Sequence, residues 1–161
     1  MNRLFFLLLT ASLLPLFSFA QTTEPLPKSF VIGTYEEAYE EVVSDYQQSF
    51  LDICENDLQQ GAELWLSLLQ EMEAYADQRE YNLKGVNIWF HVFFAADGSI
   101  NHIGYYLKPD SRHVESAGML EFLASFAEQY QLPRISDQPF ANYSAASFPI
   151  VYNLLKRDKQ N

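Results

Sequence analysis

Gly85-Val86-Asn87-Ile88-Trp89-Phe90-His91-Val92-Phe93-Phe94-Ala95-Ala96-Asp97-Gly98-Ser99-Ile100 is the stretch that decides the fold. Val86, Ile88, Phe90, Val92 and Phe94 alternate with Asn87, Trp89, His91 and Phe93, the period of a strand with one well-buried face. Ala96-Asp97-Gly98 reads as a turn, with Gly98 free to take the positive φ that tight hairpin loops need. Ser99 to Leu107 returns as a second strand. Its apolar spacing slips between Ile100 and Ile103, which predicts a bulge.

Working outward toward the C-terminus, Lys108-Pro109-Asp110-Ser111 ends that strand, and Asp110 or Ser111 is placed to cap a helix. Met119, Leu123, Phe126 and Tyr130, with Leu120, Ala124 and Ala127 alongside, predict a helix over Val114 to Tyr130 that stops at Leu132-Pro133. Its Met119, Leu123 and Phe126 are expected to pack onto Ile88, Phe90 and Val92. A polar loop through Pro139 and Asn142-Tyr143-Ser144 is expected to lead to a last strand, Ser147 to Leu155. Residues 83–157 therefore read as an α+β domain, a β-hairpin–helix–strand unit with the helix packed on a small antiparallel sheet.

Upstream, residues 34–82 read as an acidic helical segment. Thr34-Tyr35-Glu36-Glu37 has the form of a capping box. Tyr39, Val43, Tyr46, Phe50 and Ile53 then fall on one helical face, and Gln59-Gln60-Gly61 is a plausible break. A second helical pattern runs through Trp65, Leu68, Leu69, Met72, Tyr75 and Ala76. The net charge of −11 is concentrated here: Glu36, Glu37, Glu40, Glu41, Asp45, Asp52, Glu55, Asp57, Glu63, Glu71, Glu73, Asp77 and Glu80 face Arg79 alone. From Tyr81 onward acids and bases balance. Such a segment repels phosphate backbones, which excludes nucleic acid as a partner, and reads as a solvated helical face.

Residues 21–33, with Pro25 and Pro27, read as a flexible leader. Residues 1–20 read as a signal peptide: Arg3, an apolar run from Leu4, and the small residues Ser18 and Ala20 flanking Phe19. A spanning helix needs about 20 consecutive apolar residues, and Thr10, Ser12, Pro15 and Ser18 interrupt this run. Cleavage before Gln21 is expected, giving a periplasmic or secreted protein with no membrane span. The single cysteine, Cys54, excludes an internal disulfide framework and reads as a core residue.

The sequence carries no catalytic signature: no Gly-x-Ser-x-Gly elbow, phosphate-binding glycine loop, His-Glu-x-x-His or Cys-x-x-Cys. His91 and His102 lie on opposed strands, but a zinc site wants three or four ligands and no third is placed by spacing. Glu36-Glu37 and Glu40-Glu41 sit on an exposed helix face rather than in a pocket suited to acid–base work. No catalytic residue, metal ligand or cofactor is assigned, and the chain is expected to be non-enzymatic. Asn142-Tyr143-Ser144 is a glycosylation sequon. Trp89 and Phe93, with Tyr105 or Tyr106, fall on the sheet face opposite Phe90. Either the acidic helical half covers that face or it is an exposed aromatic binding patch.

Proline inside a sheet belongs on an edge strand or at a bulge, so Pro149 marks the last strand as having one open side. Ile150, Val151, Tyr152, Asn153 and Leu154 alternate there without the lysines that blunt an edge. They are the candidate partner-binding residues, for a partner peptide or a second copy of the chain. The competing expectation is that Phe30-Val31-Ile32 already occupies that edge.

The series Gly85 to Phe94, Asp97-Gly98-Ser99-Ile100, Ile103, Ser111, the helix through Ala117 and Leu123, Pro133 and Phe148-Pro149-Ile150 resembles the TonB C-terminal domain family over Gly85 to Leu155. The resemblance implies a periplasmic binding module of a Gram-negative envelope. It would grip a short segment of an outer-membrane transporter, added as a strand beside its last strand. The chain departs from the family's energy-coupling members. It lacks their Pro-rich spacer and the Tyr-Pro element before the first strand, and its signal is expected to be cleaved. A membrane-anchored energy transducer is the alternative if residues 4–20 are retained, and a small secreted hydrolase or inhibitor is the alternative from another class.

Overall fold

The computed structural model describes residues 24–134 and 136–150, so the signal-peptide reading of residues 1–20 lies outside the described residues. The chain is α+β, with a five-stranded mixed sheet and four helices. In chain order these are β1 (Ser29–Val31), α1 (Glu36–Asp45), β2 (Gln48–Ser49), α2 (Phe50–Ile53), α3 (Leu58–Gln78), β3 (Asn87–Phe94), β4 (Ile100–Leu107), α4 (Ser116–Gln129) and β5 (Phe140–Ser147). The sheet order is β1-β4-β3-β5-β2. β3 pairs antiparallel with β4 and β5, while the short β1 and β2 add parallel to β4 and β5.

The hairpin forms as its sequence predicts. Gly98 takes φ +87° at the tip, and Phe93 pairs with His102 while Phe94 pairs with Ile100, leaving Asn101 as the extra residue of the bulge. The two faces of β3 are buried differently. Ile88, Phe90, Val92 and Phe94 enter the main core with Leu68 and Met72 of α3 and Met119, Leu123 and Phe126 of α4. Buried positions on α3 (Leu68, Leu69, Met72, Tyr75, Ala76) and on α4 (Met119, Phe122, Leu123, Phe126, Ala127) recur with helical periodicity. The Tyr75 hydroxyl and Ser125 Oγ join the two helices at 2.6 Å. On the other face, Phe93 packs with Leu26, Phe30 and Ala38, flanked by Tyr39, Val42 and Tyr46 of the α1 region.

Several expectations are corrected. The stretch 21–33 is no mere leader where described, because Ser29–Val31 forms β1 and Phe30 is buried. Gly104 is the reason: a Cβ there would stand 2.6 Å from Phe30 Cζ, so only glycine lets that ring lie across β4. Thr34 makes no capping box, since its hydroxyl donates back to the Val31 carbonyl and Tyr35 caps α1 without a side-chain bond. A capping box forms instead at Ser49 and Asp52. Gln59-Gln60-Gly61 lies inside α3, which starts earlier because the Asp57 carboxylate accepts from the Gln59 and Gln60 amides. Glu115, not Asp110 or Ser111, caps α4.

Candidate functional site

The largest correction concerns the last strand. The loop read through Pro139 and Asn142-Tyr143-Ser144 gives way to β5, Phe140 to Ser147, which ends where the last strand is expected to begin and pairs with β3 over its whole length. Ile150 is not on a strand edge. It is buried beside α3, and its amide donates to the Glu73 carboxylate, 3.1 Å from each oxygen. Val151, Tyr152, Asn153 and Leu154 lie outside the described residues. Phe30-Val31 pairs with β4 at the opposite edge of the sheet, so it does not occupy the β5 side.

β5 carries the edge that the sequence places further on. In an antiparallel ladder the main-chain groups of successive residues point alternately to either side. The Phe148 amide donates to the Val86 carbonyl, which fixes the alternation: Ala146, Ser144 and Asn142 turn toward β3, and Ala141, Tyr143 and Ala145 turn away from it. β2 meets β5 only at Phe140 and Ala141. Among the described residues no strand pairs with the outer side of β5 beyond Ala141, and the Trp65 indole reaches the Ala145 carbonyl at 3.5 Å.

Below this edge runs a groove of about 920 Å³ between β5 and the N-terminal half of α3. Its walls are largely apolar, with Phe50, Leu58, Trp65, Leu66 and Leu69 on one side and Ala145, Ala146 and Ile150 on the other. Trp65 is held in place by rings of Phe50 and Phe90 at 6.2 and 6.3 Å. Asn142 lines the groove, and its Nδ2 is buried with no hydrogen-bond partner among the described residues. A donor left this way costs about 1–3 kcal/mol. The same burial closes the sequon at Asn142 to modification. Glu63 is the sole ionisable side chain among the described lining residues, so the groove holds no acid–base pair.

The aromatic face divides between the two expected fates. α1 covers the Phe93 end, while Trp89, Tyr106 and Tyr143 stay 36%, 53% and 55% exposed. Trp89 and Tyr143 stack with centroids 5.5 Å apart, and Lys108 Nζ lies 5.2 Å above the Trp89 ring. Tyr143 projects from β5 on this side, so the open edge has an aromatic surface on one flank and the apolar groove on the other. No family model, curated protein or solved structure matches the chain. Among the described residues no helix is long and apolar enough to cross a membrane, and no three metal-ligating side chains come together.

Two of the three histidines are spent on local structure. His102 Nδ1 lies 2.9 Å from the Pro27 carbonyl, and His91 Nδ1 2.8 Å from the Tyr39 hydroxyl, which ties α1 to the sheet. Burial pulls the His91 pKa from 6.5 down to about 4. The unfolded chain therefore binds more protons than the folded one between these values, so stability is full above pH 6.5 and falls as the pH drops toward 4. Discounted for the ring's partial exposure, the expected loss is about 1–2 kcal/mol. Urea unfolding at pH 7 and at acid pH should show it in the native protein and not in His91→Phe. An equal loss in both would assign the acid sensitivity elsewhere. Burial likewise raises the Cys54 thiol pKa, in keeping with an inert core cysteine.

Proposed function

We propose that this chain is a non-enzymatic protein-interaction module that binds an extended partner segment by strand addition along the outer edge of β5. The observation that carries the reading is the conjunction of outward-turned main-chain groups at Tyr143 and Ala145 with an apolar groove directly beneath them. Main-chain bonds would supply affinity, and alternate side chains specificity. One set of partner side chains enters the groove against Trp65, Leu66 and Leu69, while the other lies over the Tyr143–Trp89 stack. Glu63 at the groove favours a basic residue at the end of the segment.

The order hairpin, helix, then a last strand laid beside the hairpin's first strand supports the likeness to the TonB C-terminal domain. With the signal-peptide features it makes the envelope of a Gram-negative bacterium the setting of this proposal, and an exported or outer-membrane protein segment the partner. The test uses a displayed library of random decapeptides selected on the full chain. Selected sequences should alternate apolar residues and carry a basic end. They should lose at least about tenfold in affinity for Ala145→Pro, which removes one outward amide without touching the β3 ladder. Unchanged binding to that variant, with its circular dichroism native, would sink strand addition.

A further inference from the structure

We propose that the partner segment carries an arginine opposite Tyr143, whose guanidinium stacks on the Tyr143 ring beside the C-terminal end of α1. The proposal rests on the strand-addition reading and deepens it, by naming the side chain that the outer flank of β5 selects. Ala141 and Tyr143 are successive residues on that flank. Ala141 is buried with Phe93 in the cluster that Tyr39 and Tyr46 flank, whereas Tyr143 is 55% exposed, so the cover from α1 stops between them. A residue paired with Tyr143 on an added strand would point to the same face, with its Cβ about 4.5–5.5 Å from that of Tyr143.

The charge around Tyr143 calls for a cation. α1 ends at Asp45, at most about 11 Å from Gln48, which pairs with Phe140, and an added strand would start where β2 stops. The end of α1 carries the partial negative charge of the helix dipole. Asp45 and, one turn back, Glu41 add to it, and the last turn holds no basic residue. Like charges four residues apart on a helix are unfavourable in the free chain, and a bound cation relieves them. His91 brings no competing charge. Its ring lies 5.3 Å from that of Tyr143, and burial lowers its pKa to about 4, so it is neutral at pH 7.

The same flank already holds one contact of this kind. Lys108 Nζ stands 5.2 Å from the centre of the Trp89 ring, and Trp89 stacks parallel to Tyr143. Among the described residues no cation stands over Tyr143 itself. Tyr143 is therefore the open end of a row that runs Lys108, Trp89, Tyr143. Arginine suits that end better than lysine, because its planar guanidinium stacks on an aromatic ring while its N–H groups still reach carboxylates such as Asp45.

The decapeptide library tests the arginine on three baits. Peptides selected on the native chain should carry an arginine at one fixed internal position. Selection on Tyr143→Leu should keep the apolar alternation and lose that arginine, while selection on Glu63→Gln should keep it. A peptide with citrulline, the neutral isostere of arginine, at that position should bind the native chain about tenfold more weakly than its parent. The same exchange should cost less than about twofold on Tyr143→Leu. Asp45→Asn should shrink the citrulline loss severalfold, which keeps the test intact if Tyr143→Leu does not fold. Selected peptides with no internal arginine, or a citrulline loss equal in the native chain and both variants, would overturn the arginine seat. Strand addition would still stand if those peptides weaken on Ala145→Pro. Peptides indifferent to Ala145→Pro, or no selected peptide at all, would remove strand addition and the seat with it, so the two failures are read separately.

Discussion

Phe90→Ala is expected to lower the unfolding free energy by about 3–5 kcal/mol, the range for removing a fully buried phenylalanine ring. Phe90 sits at the middle of β3, flanked by β4 at Tyr105 and by β5 at Ser144, and is 1% exposed. Two ladders hold its backbone, the Trp65 ring of α3 lies against it, and it belongs to the core shared with α4, so little can move in to fill the space. The cavity term therefore adds nearly in full to the lost transfer energy. Trp89→Ala, one residue earlier, is expected to cost under about 1 kcal/mol, because that ring is on the partly exposed face. Urea unfolding of the two variants checks both. A Phe90→Ala loss below about 1 kcal/mol would mean that the α3–α4 layer does not rest on this face.

The contrast between those neighbours shows what was legible in the sequence. Alternation and a turn glycine are local signals, so the hairpin and α4 could be read directly, including the bulge at Asn101. β5 could not, because Phe140-Ala-Asn-Tyr-Ser-Ala-Ala-Ser is rich in turn formers and poor in β-branched residues. Its extended form is dictated by eight pairs with β3, a tertiary cause that no window along the chain contains. The helical face drawn through Tyr39, Tyr46, Phe50 and Ile53 has correct spacing and the wrong geometry. Tyr39 and Tyr46 pack with Phe93 on one side of the sheet, while Phe50 and Ile53 pack with Phe94 on the other. One helix cannot serve both sides, so the chain breaks after Asp45 and passes round the sheet edge as β2.

Two further features left faint or no traces. β1 was signalled only by Gly104, a glycine inside a strand where a close approach is needed. The groove left none, since its walls come from residues 50–69 and 142–150. Pro149 follows β5 instead of lying within a strand, and among the described residues the outer side of β5 is paired only at Phe140 and Ala141.

Gly98→Ala is expected to cost about 2–4 kcal/mol, from two causes that a second variant separates. The φ of +87° is unfavourable for a residue with a Cβ, by about 1–2 kcal/mol. A Cβ there would also stand 2.6 Å from the Leu132 carbonyl oxygen and 2.8 Å from that of Arg134, which adds about 1–3 kcal/mol of overpacking. Those carbonyls cannot easily retreat. The Leu132 amide donates to the Gly98 carbonyl at 2.9 Å, Gln131 Nε2 to Asp97, and the Ser136 amide to Ala96. Because this seam connects α4 to β5, a side chain at the hairpin tip should weaken peptide binding at the β5 edge as well as stability. Gly98→Asn tolerates positive φ but brings the same Cβ, so it should recover less than half of the alanine loss. Recovery of native stability by asparagine would mean that backbone conformation alone fixes this glycine, and that the tip and the seam yield to one another.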